Sequence, residues 1–170
     1  MNKILLVPHP KLRQKAEEIL EVTNTEIDIA KKMMELVQSA PGVGLAANQI
    51  GILKKIITIN IEDKTKSKNI AYSLFNPKII SYSKELILME EGCLSFPEQY
   101  AEIERPSSVK IEYINEKNEI IKAEKKGFEA RVIQHEIDHL QGKLFIDYLS
   151  SLRRNIILNK IKKLKKMSQK

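Results

Sequence analysis

The spacing of apolar residues early in the chain predicts one helix. Thr25 and Asp28, three residues apart, have the form of a helix-capping box, in which each side chain satisfies a free backbone N–H. The apolar residues that follow recur at helical spacing, and these are Ile29, Met33, Leu36 and Val37. We expect this helix to run for about three or four turns and to end near residues 40–42, which include Pro41 and Gly42.

The middle of the chain has the pattern of strands. Short runs of β-branched and apolar residues, each bounded by charged or turn-forming residues, lie at 55–61, 70–75 and 85–89. Apolar and polar residues then alternate from Val109 to Tyr113, and residues 115–118 can turn the chain into 119–123. This last pattern predicts a hairpin.

From Phe128 onward the apolar period changes to that of a helix. One side of this helix carries Phe128, Val132, His135, Glu136 and His139. Gly142 stands where such a helix would end. The order of helix, antiparallel strands, helix and helix is typical of an α+β fold and not of an alternating parallel sheet. We therefore expect antiparallel strands around a central helix, with a basic helix at the C-terminus.

Composition narrows the class of protein. The 170 residues give room for one ordinary domain, and 42% hydrophobic with 30% charged residues is typical of a folded chain. A single cysteine, Cys93, excludes an intrachain disulfide and favours a reducing compartment. The apolar run before Pro8 is too short for a signal peptide, and no segment is long enough to span a bilayer. These features predict a cytoplasmic protein without a membrane partner.

The net charge of +7 is concentrated at one end of the chain. Residues 151–170 contain eight basic and no acidic residues, whereas the other 150 contain 21 basic and 22 acidic ones. One face of the basic segment is apolar at helical spacing and comprises Leu152, Ile156, Ile157, Ile161 and Leu164. We divide the chain into a body at 1–150 and a basic amphipathic helix and tail at 151–170 of the same domain. Such an appendage favours contact with an anionic surface over a groove that reads DNA.

The pattern His-Glu-Ile-Asp-His at 135–139 predicts a metal site. Two histidines four residues apart on a helix point the same way and can hold one ion. Glu136, directly after the first histidine, faces the open coordination position. The alternative is a helix with two polar positions and an ion pair to a lysine.

A third ligand is needed beside the two histidines. In zinc proteases with a third histidine after the glycine, that residue would fall at Phe145, and His9 stands between two prolines where a surface turn is expected. The ligand must therefore be a carboxylate or Cys93. A lone cysteine is commonly a buried hydrophobic residue, but Gly92 and Pro97 near it are unusual in a core strand. We expect Pro97 to end the strand pairing.

The segment 42–49, Gly-Val-Gly-Leu-Ala-Ala-Asn-Gln, is rich in small residues that let the backbone approach another surface. Gln49 adds an amide NH₂ that can donate to an oxygen on which negative charge develops. By itself the segment could also be the loop after a helix. A nucleotide site is not expected, because the Gly-Lys-Ser/Thr ending of a phosphate loop is missing.

Together these three segments resemble the peptide deformylase family, metal enzymes that remove the formyl group from N-formylmethionine of new polypeptides. That family carries G-x-G-x-A-A-x-Q, then E-G-C-L-S, then Q-H-E-x-D-H. This chain has the same motifs in the same order, at 42–49, 91–95 and 134–139. The opening segment 8–13 and the pair Arg105-Pro106 are similar to the family as well. The resemblance makes 1–150 the catalytic part of the chain.

The resemblance implies a role for each motif residue. The metal ligands would be Cys93, His135 and His139. Glu136 would be the general acid and base, and Gln49 and the backbone N–H of Leu94 would form the oxyanion site. Three protein ligands leave an open position for a water molecule, whose pKa then falls toward neutrality. The family uses Fe(II) in the cell, and a thiolate ligand suits Zn(II) or Ni(II) as well.

The resemblance also implies N-formylmethionyl nascent peptides as substrates, processed during protein biosynthesis. The methionine side chain should enter an apolar pocket, to which we expect contributions from Gly44, Met89, Phe128 and Val132. Ordinary core packing is an equal alternative for the last three. Tyr100, Phe128 and Arg131 are expected to border the substrate groove.

Two further features stay open. Arg105 is expected either to orient Glu90 or to donate to the Cys93 thiolate, and a surface ion pair is the alternative. Because the substrates emerge from the ribosome, ribosomal RNA phosphates are the expected partner of the basic helix at 151–170. The other classes that fit the motifs are a metal-dependent peptidase and a basic protein with a structural metal.

Overall fold

The computed structural model describes residues 3–63 and 68–167, and these contain seven strands and three α-helices. The helices are α1 (Asn24–Ser39), α2 (Gly127–Leu140) and α3 (Ser151–Met167). The strands are β1 (Gly44–Ala46), β2 (Ile56–Asp63), β3 (Lys68–Tyr82), β4 (Leu86–Cys93), β5 (Phe96–Pro106), β6 (Ser108–Ile114) and β7 (Ile120–Lys126). The predicted α+β class is confirmed. No helix within these ranges is long and apolar enough to cross a bilayer.

The strands form two antiparallel sheets. Five of them pair in the order β1-β2-β3-β6-β7, and the predicted hairpin forms its end, with Ile114 opposite Ile120. The other two, β4 and β5, pair only with each other, and we call them the β4–β5 ribbon. Helix α1 packs on β1 and β2, and their shared core includes Met33, Val37 and Phe75.

The beginning of α1 lies two residues before the predicted capping box. Thr23 is the N-cap, and its backbone N–H donates to Glu26 Oε2 at 3.0 Å. The sequence offers the same spacing twice, at Thr23 with Glu26 and at Thr25 with Asp28. Glu26 is buried and also pairs with Lys54, whereas Asp28 is largely exposed. The helix therefore begins at the pair whose acid is buried beside a cation, two residues earlier than predicted.

Two prolines lie inside strands, and one of them, Pro97, was predicted to end the strand pairing. β3 continues past Pro77 to Tyr82, with a register shift between Phe75 and Lys78. β5 was missed altogether, and Pro97 is its second residue instead of the end of pairing. The ladder jumps there from one pair, Cys93 with Phe96, to Gly92 with Tyr100. A proline is tolerated in a strand at such an irregularity because no ladder N–H is required of it.

Helix α2 has protein on two sides. Ala130, Ile133 and Leu140 pack in the core beneath the five-stranded sheet. On another side, the Arg131 guanidinium donates to the Ile103 carbonyl of the ribbon at 2.7 Å. Polar and apolar residues of α2 are therefore both buried, and the helix joins the sheet to the β4–β5 ribbon.

The C-terminal end of α2 meets the N-terminal segment of the chain. Gly142 follows the helix with a φ of +72°, as the sequence predicts for a helix end. A Cβ at Gly142 would lie 2.4 Å from the Arg13 carbonyl oxygen, so no larger residue fits without movement. The Ala16 N–H donates to the Leu140 carbonyl at 2.8 Å. Only glycine allows the two segments to cross this closely.

The predicted apolar stripe of α3 is partly wrong. Ile157 and Ile161 are buried in a core cluster that also contains Phe96 and Ile103. Leu152 and Ile156, however, are 71% and 47% exposed. The helix contacts the body along a narrower line than the spacing predicts, because only one edge of the stripe meets the ribbon. Residues 168–170 of the predicted tail lie outside the described residues.

Candidate metal centre and active site

Three side chains from two elements meet at the predicted metal site. Cys93 ends β4, and His135 and His139 lie one turn apart on α2. Their ligand atoms all lie within 4.8 Å of one another. Cys93 Sγ is 3.3 Å from His139 Nε2. His9 lies elsewhere, at the start of a 3₁₀ turn, where its Nδ1 accepts the Lys11 N–H at 3.3 Å.

The cluster fits a divalent transition-metal ion. Metal bonds of about 2.0 to 2.3 Å place tetrahedral sulfur and nitrogen ligands roughly 3 to 4 Å apart. Burial lowers the pKa of His139 well below its usual value, so this ring is neutral and can ligate. A thiolate with two imidazoles is a donor set that suits zinc, iron or nickel. Three protein donors leave one coordination position open.

A buried carboxylate, Glu91, holds the first histidine in place. Its Oε2 lies 2.9 Å from His135 Nδ1, which leaves Nε2 as the ligand atom. Arg105 binds the same carboxylate through two contacts, at 2.6 and 3.0 Å. Burial raises the pKa of Glu91, but the hydrogen bonds from His135 and Arg105 outweigh it and hold that pKa well below the usual range. Glu91 is therefore ionised and fixes the imidazole.

The predicted partner of Arg105, Glu90, is wrong. Arg105 pairs with Glu91 and not with Glu90, which lies exposed on the opposite face of β4. It is 2% exposed, so it is no surface ion pair, and it also donates to Asp138 Oδ2 at 2.7 Å. Tyr148 donates to that same oxygen at 2.7 Å and lies beneath the guanidinium, 4.5 Å from its centre. One arginine thus joins β4, β5 and α2.

The sequence analysis assigned no role to Glu91, Asp138 or Tyr148, although Glu91 and Asp138 stand at fixed positions of the motifs at 91–95 and 134–139. Strand parity could have found Glu91, because residues two apart share a face and Glu91 is two before Cys93. The contacts of Asp138 and Tyr148 have no such local signal, since they form across elements.

Glu136 lies in a different environment from Glu91. It is buried, and its Oε2 has no hydrogen-bond partner among the described residues. Gly44 passes so close that a Cβ there would lie 2.6 Å from Glu136 Oε1. Burial raises the pKa of Glu136 to about 7, with His135 acting against this and Glu91 adding to it. A carboxyl group of this kind can both accept and return a proton near neutral pH.

Gln49 points its amide toward the cluster. It lies in a 3₁₀ turn, Ala47–Ile50, and its Oε1 accepts the Ala46 N–H at 2.9 Å. That bond fixes the amide orientation, so Nε2 faces Cys93 Sγ at 3.5 Å and Ser95 Oγ at 3.2 Å. Leu94 lies in the turn between β4 and β5, and its side chain covers Gly42.

A cavity of about 450 Å³ opens beside the cluster. Its wall includes the predicted pocket residues Gly44, Phe128 and Val132, and the predicted groove residues Tyr100 and Arg131. Gln49, Cys93, Leu94, His135 and Glu136 line it as well.

Met89 is not part of this wall. It lies on β4 opposite Ile103, four residues before Cys93. At about 3.3 Å per strand residue, Met89 lies roughly 13 Å along the strand from Cys93, and the structure does not bring it to the cavity wall.

A half-buried cysteine sulfur and two buried imidazoles, close to a buried carboxyl group and beside a mostly apolar cavity, define a metal-dependent hydrolase. The sequence pattern of the polypeptide deformylase family matches residues 1–155. The chain is 45% identical over 166 residues to the peptide deformylase of Rickettsia canadensis (strain McKiel), covering 95% of each chain. The chain belongs to this family. It is an enzyme that uses a metal to remove the N-formyl group from nascent polypeptides.

Solved structures agree with this assignment. A crystal structure of peptide deformylase from Ehrlichia chaffeensis superposes with a TM-score of 0.93 at 31% identity, covering 98% of both chains. A Met-Ala-Ser-bound class I type b peptide deformylase from Acinetobacter baumannii gives 0.80 at 30% identity, covering 86% of this chain and 97% of that one.

Proposed function

We propose that Cys93, His135 and His139 hold one divalent metal ion and that Glu136 is the general acid and base of the deformylation. The observation that carries the proposal is the meeting of three ligand atoms within 4.8 Å, beside a buried carboxyl group and at the end of a cavity. The reaction cleaves the formamide C–N bond, adds one water, and yields formate and a free amino group.

Each residue near the cluster has one task. The ion, when bound, acts as a Lewis acid and lowers the pKa of a water molecule. Glu136 accepts the proton of the attacking water and returns it to the departing amine. The Gln49 amide and the backbone N–H of Leu94 donate to the formyl oxygen, where negative charge develops. The Ala46–Gln49 hydrogen bond holds that amide ready, so little reorganisation is needed during the reaction.

The cavity is the proposed site of the substrate methionine. Gly44, Phe128 and Val132 would contact its side chain. A side chain at Gly44 would collide with Val132 and Glu136, so glycine there lets the wall of the pocket approach α2 closely. The Met-Ala-Ser bound to the relative from A. baumannii supports a formylated form of that tripeptide as the test substrate.

We propose Fe(II) as the ion in the cell, with Zn(II) or Ni(II) able to replace it. The thiolate of Cys93 donates strongly and reduces the effective charge on the ion, which suits all three metals. Both a thiolate and ferrous iron are oxidisable, so the iron-loaded enzyme should lose activity in air or peroxide. A nickel-loaded sample of the same protein should lose it more slowly.

The decisive experiment combines metal analysis with product analysis. Protein purified without oxygen is tested for formate release from formyl-Met-Ala-Ser, and the metal content of the same sample is measured. Cys93→Ser should lose most of its metal and activity, since a hydroxyl is a poor ligand at neutral pH. His9→Ala is the matched control, because it removes the one histidine outside the cluster and should change neither.

Three results would count against the proposal. Full metal occupancy with normal activity in Cys93→Ser would remove that residue from the site. Release of amino acids from unformylated peptides would indicate a peptidase. Four protein ligands without a bound water would indicate a structural metal.

We further propose that 1–150 is the catalytic part of a cytoplasmic enzyme and that α3, with the rest of 151–170, binds the ribosome surface. Lys160, Lys162, Lys163 and Lys166 of α3 are exposed. RNA phosphates are the anionic surface that such a helix would meet, and binding to them weakens with salt.

The ribosome proposal is tested by charge reversal. Glutamate is placed at four positions of α3, namely Lys162, Lys163, Lys165 and Lys166. This variant should keep its kcat/KM on short formyl peptides but co-sediment poorly with ribosomes at low salt. The control reverses four exposed lysines of the body, Lys31, Lys32, Lys110 and Lys117. Equal co-sedimentation of both variants would disprove docking through α3.

A further inference from the structure

Arg131 is a buried arginine that the deformylation steps do not use. It lies on α2 one turn before His135 and is 4% exposed. Its Nη1 donates to Glu91 Oε1 at 2.8 Å and to the Ile103 carbonyl at 2.7 Å. Its Nη2 donates to the Ile87 carbonyl. One guanidinium therefore binds both strands of the β4–β5 ribbon from a helix that carries two of the three proposed ligands.

This placement matters because the ligands come from separate elements. Cys93 is held by β4, whereas the histidines are held by α2. The distance between them depends on how the ribbon sits on the helix. A guanidinium is a planar, rigid fork, so three acceptors bound at fixed angles leave little freedom to slide. The Glu91 carboxylate, held by Arg131 on one oxygen, binds His135 with the other.

We propose that Arg131 is a positioning residue that sets the separation between Cys93 and the two histidines, and thereby the tightness of metal binding. This inference rests on the metal site proposed above. Arg131 would act only through the ribbon and through Glu91, without contact to the ion.

The competing explanation is that Arg131 only stabilises the fold. The chain offers a matched control for this explanation in Arg154. Arg154 of α3 is half-buried, and its guanidinium also donates to three backbone carbonyls. These belong to Ile146, Asp147 and Leu149, at 3.2, 3.4 and 3.4 Å. The loss of Arg154 removes contacts of the same type between other elements.

The test uses full-length protein loaded with Co(II). Arg131→Met and Arg154→Met are compared with the unchanged chain in three measurements. A competing chelator gives the metal affinity, the thiolate-to-cobalt absorption band gives the ligand geometry, and thermal unfolding of the metal-free form gives stability. Arg131→Met should bind metal roughly 10 to 100-fold more weakly, the range for residues that orient ligands, and should shift the band. Arg154→Met should unfold at lower temperature but keep affinity and band.

Arg131→Lys covers the case in which Arg131→Met does not fold. It keeps a cation, but a single ammonium cannot bind carboxylate and carbonyls on both strands in the same geometry, so weaker metal binding and a shifted band are again expected. If the Arg131 variants keep the affinity and the band of the unchanged chain, Arg131 is a structural clamp and the inference is wrong. Unchanged cobalt binding in Cys93→Ser would instead disprove the proposed ligand set, so the two failures are distinguishable.

Discussion

Helices α2 and α3 place polar residues in opposite ways. Helix α2, with 14 residues, buries five polar side chains, Arg131, Gln134, His135, Glu136 and His139. Helix α3, with 17 residues, buries Ile157 and Ile161 among its described side chains and leaves most lysines in solvent. The polar residues of α2 can be buried because partners from the ribbon satisfy most of them. In these two helices, whether a polar side chain is buried therefore depends on the hydrogen-bond partners near it more than on its own hydrophobicity.

The largest effect is expected at Glu136, the buried acid of α2 whose Oε2 has no hydrogen-bond partner among the described residues. Glu136→Gln keeps the shape but removes the base, so kcat should fall by roughly 10² to 10⁴-fold while the metal stays bound. Formate release and metal content measure the two effects. Glu129→Gln, on the same helix but outside the cavity wall, should leave kcat close to that of the unchanged enzyme. A Glu136→Gln enzyme with normal kcat would show that this buried acid has no chemical role.

The partners of α2 are tested by removing one of them. Arg105→Leu leaves Asp138 without its cation and Glu91 with one cation fewer, and breaking a buried pair costs about 3 to 5 kcal/mol. Urea unfolding of the metal-free protein measures this loss. Lys78→Met breaks a solvent-screened pair with Glu112 and should lower stability far less than Arg105→Leu does. Equal losses of stability in both variants would mean that burial of the Arg105 ion pairs adds nothing to the free energy of unfolding.

Helix α3 provides the apolar counterpart. Ile157→Ala removes a buried side chain and should cost about 2 to 4 kcal/mol. The neighbouring Ile156 is 47% exposed, so Ile156→Ala should change stability by about 0.5 kcal/mol or less. The same unfolding measurement separates them. Similar losses at both positions would support the wide apolar stripe that the sequence predicted.

The smallest effect is expected at α1, where a buried acid is paired at a helix start. The hydrogen bonds from Lys54 and Thr23 lower the pKa of Glu26 to about 2. A lowered pKa stabilises the fold above the unfolded value of 4.5, and this stability is lost as pH falls from about 5 toward 2. Glu26→Gln, which lacks the charge as the protonated acid does, should lower stability at pH 7 and flatten that dependence. An unchanged slope in the variant would assign the acid sensitivity to other carboxylates.

Much of the proposed site could be predicted from the sequence because its proposed ligands lie in short local patterns. His135 and His139 are four residues apart on a helix, and that spacing alone brings their rings together. The end of α2 at Gly142 has an equally local cause. The ribbon strand β5 was missed because its sequence, with Pro97, Pro106 and several acids, has the composition of a loop. Its pairing with β4 compensates for that composition.

The residues around the ligands could not be predicted for a different reason. Glu91, Arg105 and Arg131 meet from three elements, so their contacts depend on how the ribbon lies on α2. Adjacent acids such as Glu90 and Glu91 look alike in a sequence. Which of them is buried depends on which face of β4 packs on the rest of the protein. Met89, expected at the pocket, lies four residues before Cys93 on β4, and the structure does not bring it to the cavity wall.

The crossing of Gly142 with Arg13 has a consequence for folding during synthesis. The N-terminal segment bonds to the end of α2, through Ala16 to Leu140 and through Arg13 to Asp147. More than a hundred residues separate these partners, so closing this contact is slow and costs chain entropy. The segment cannot dock until residue 147 has left the ribosome, so the enzyme itself stays incomplete through most of its own translation.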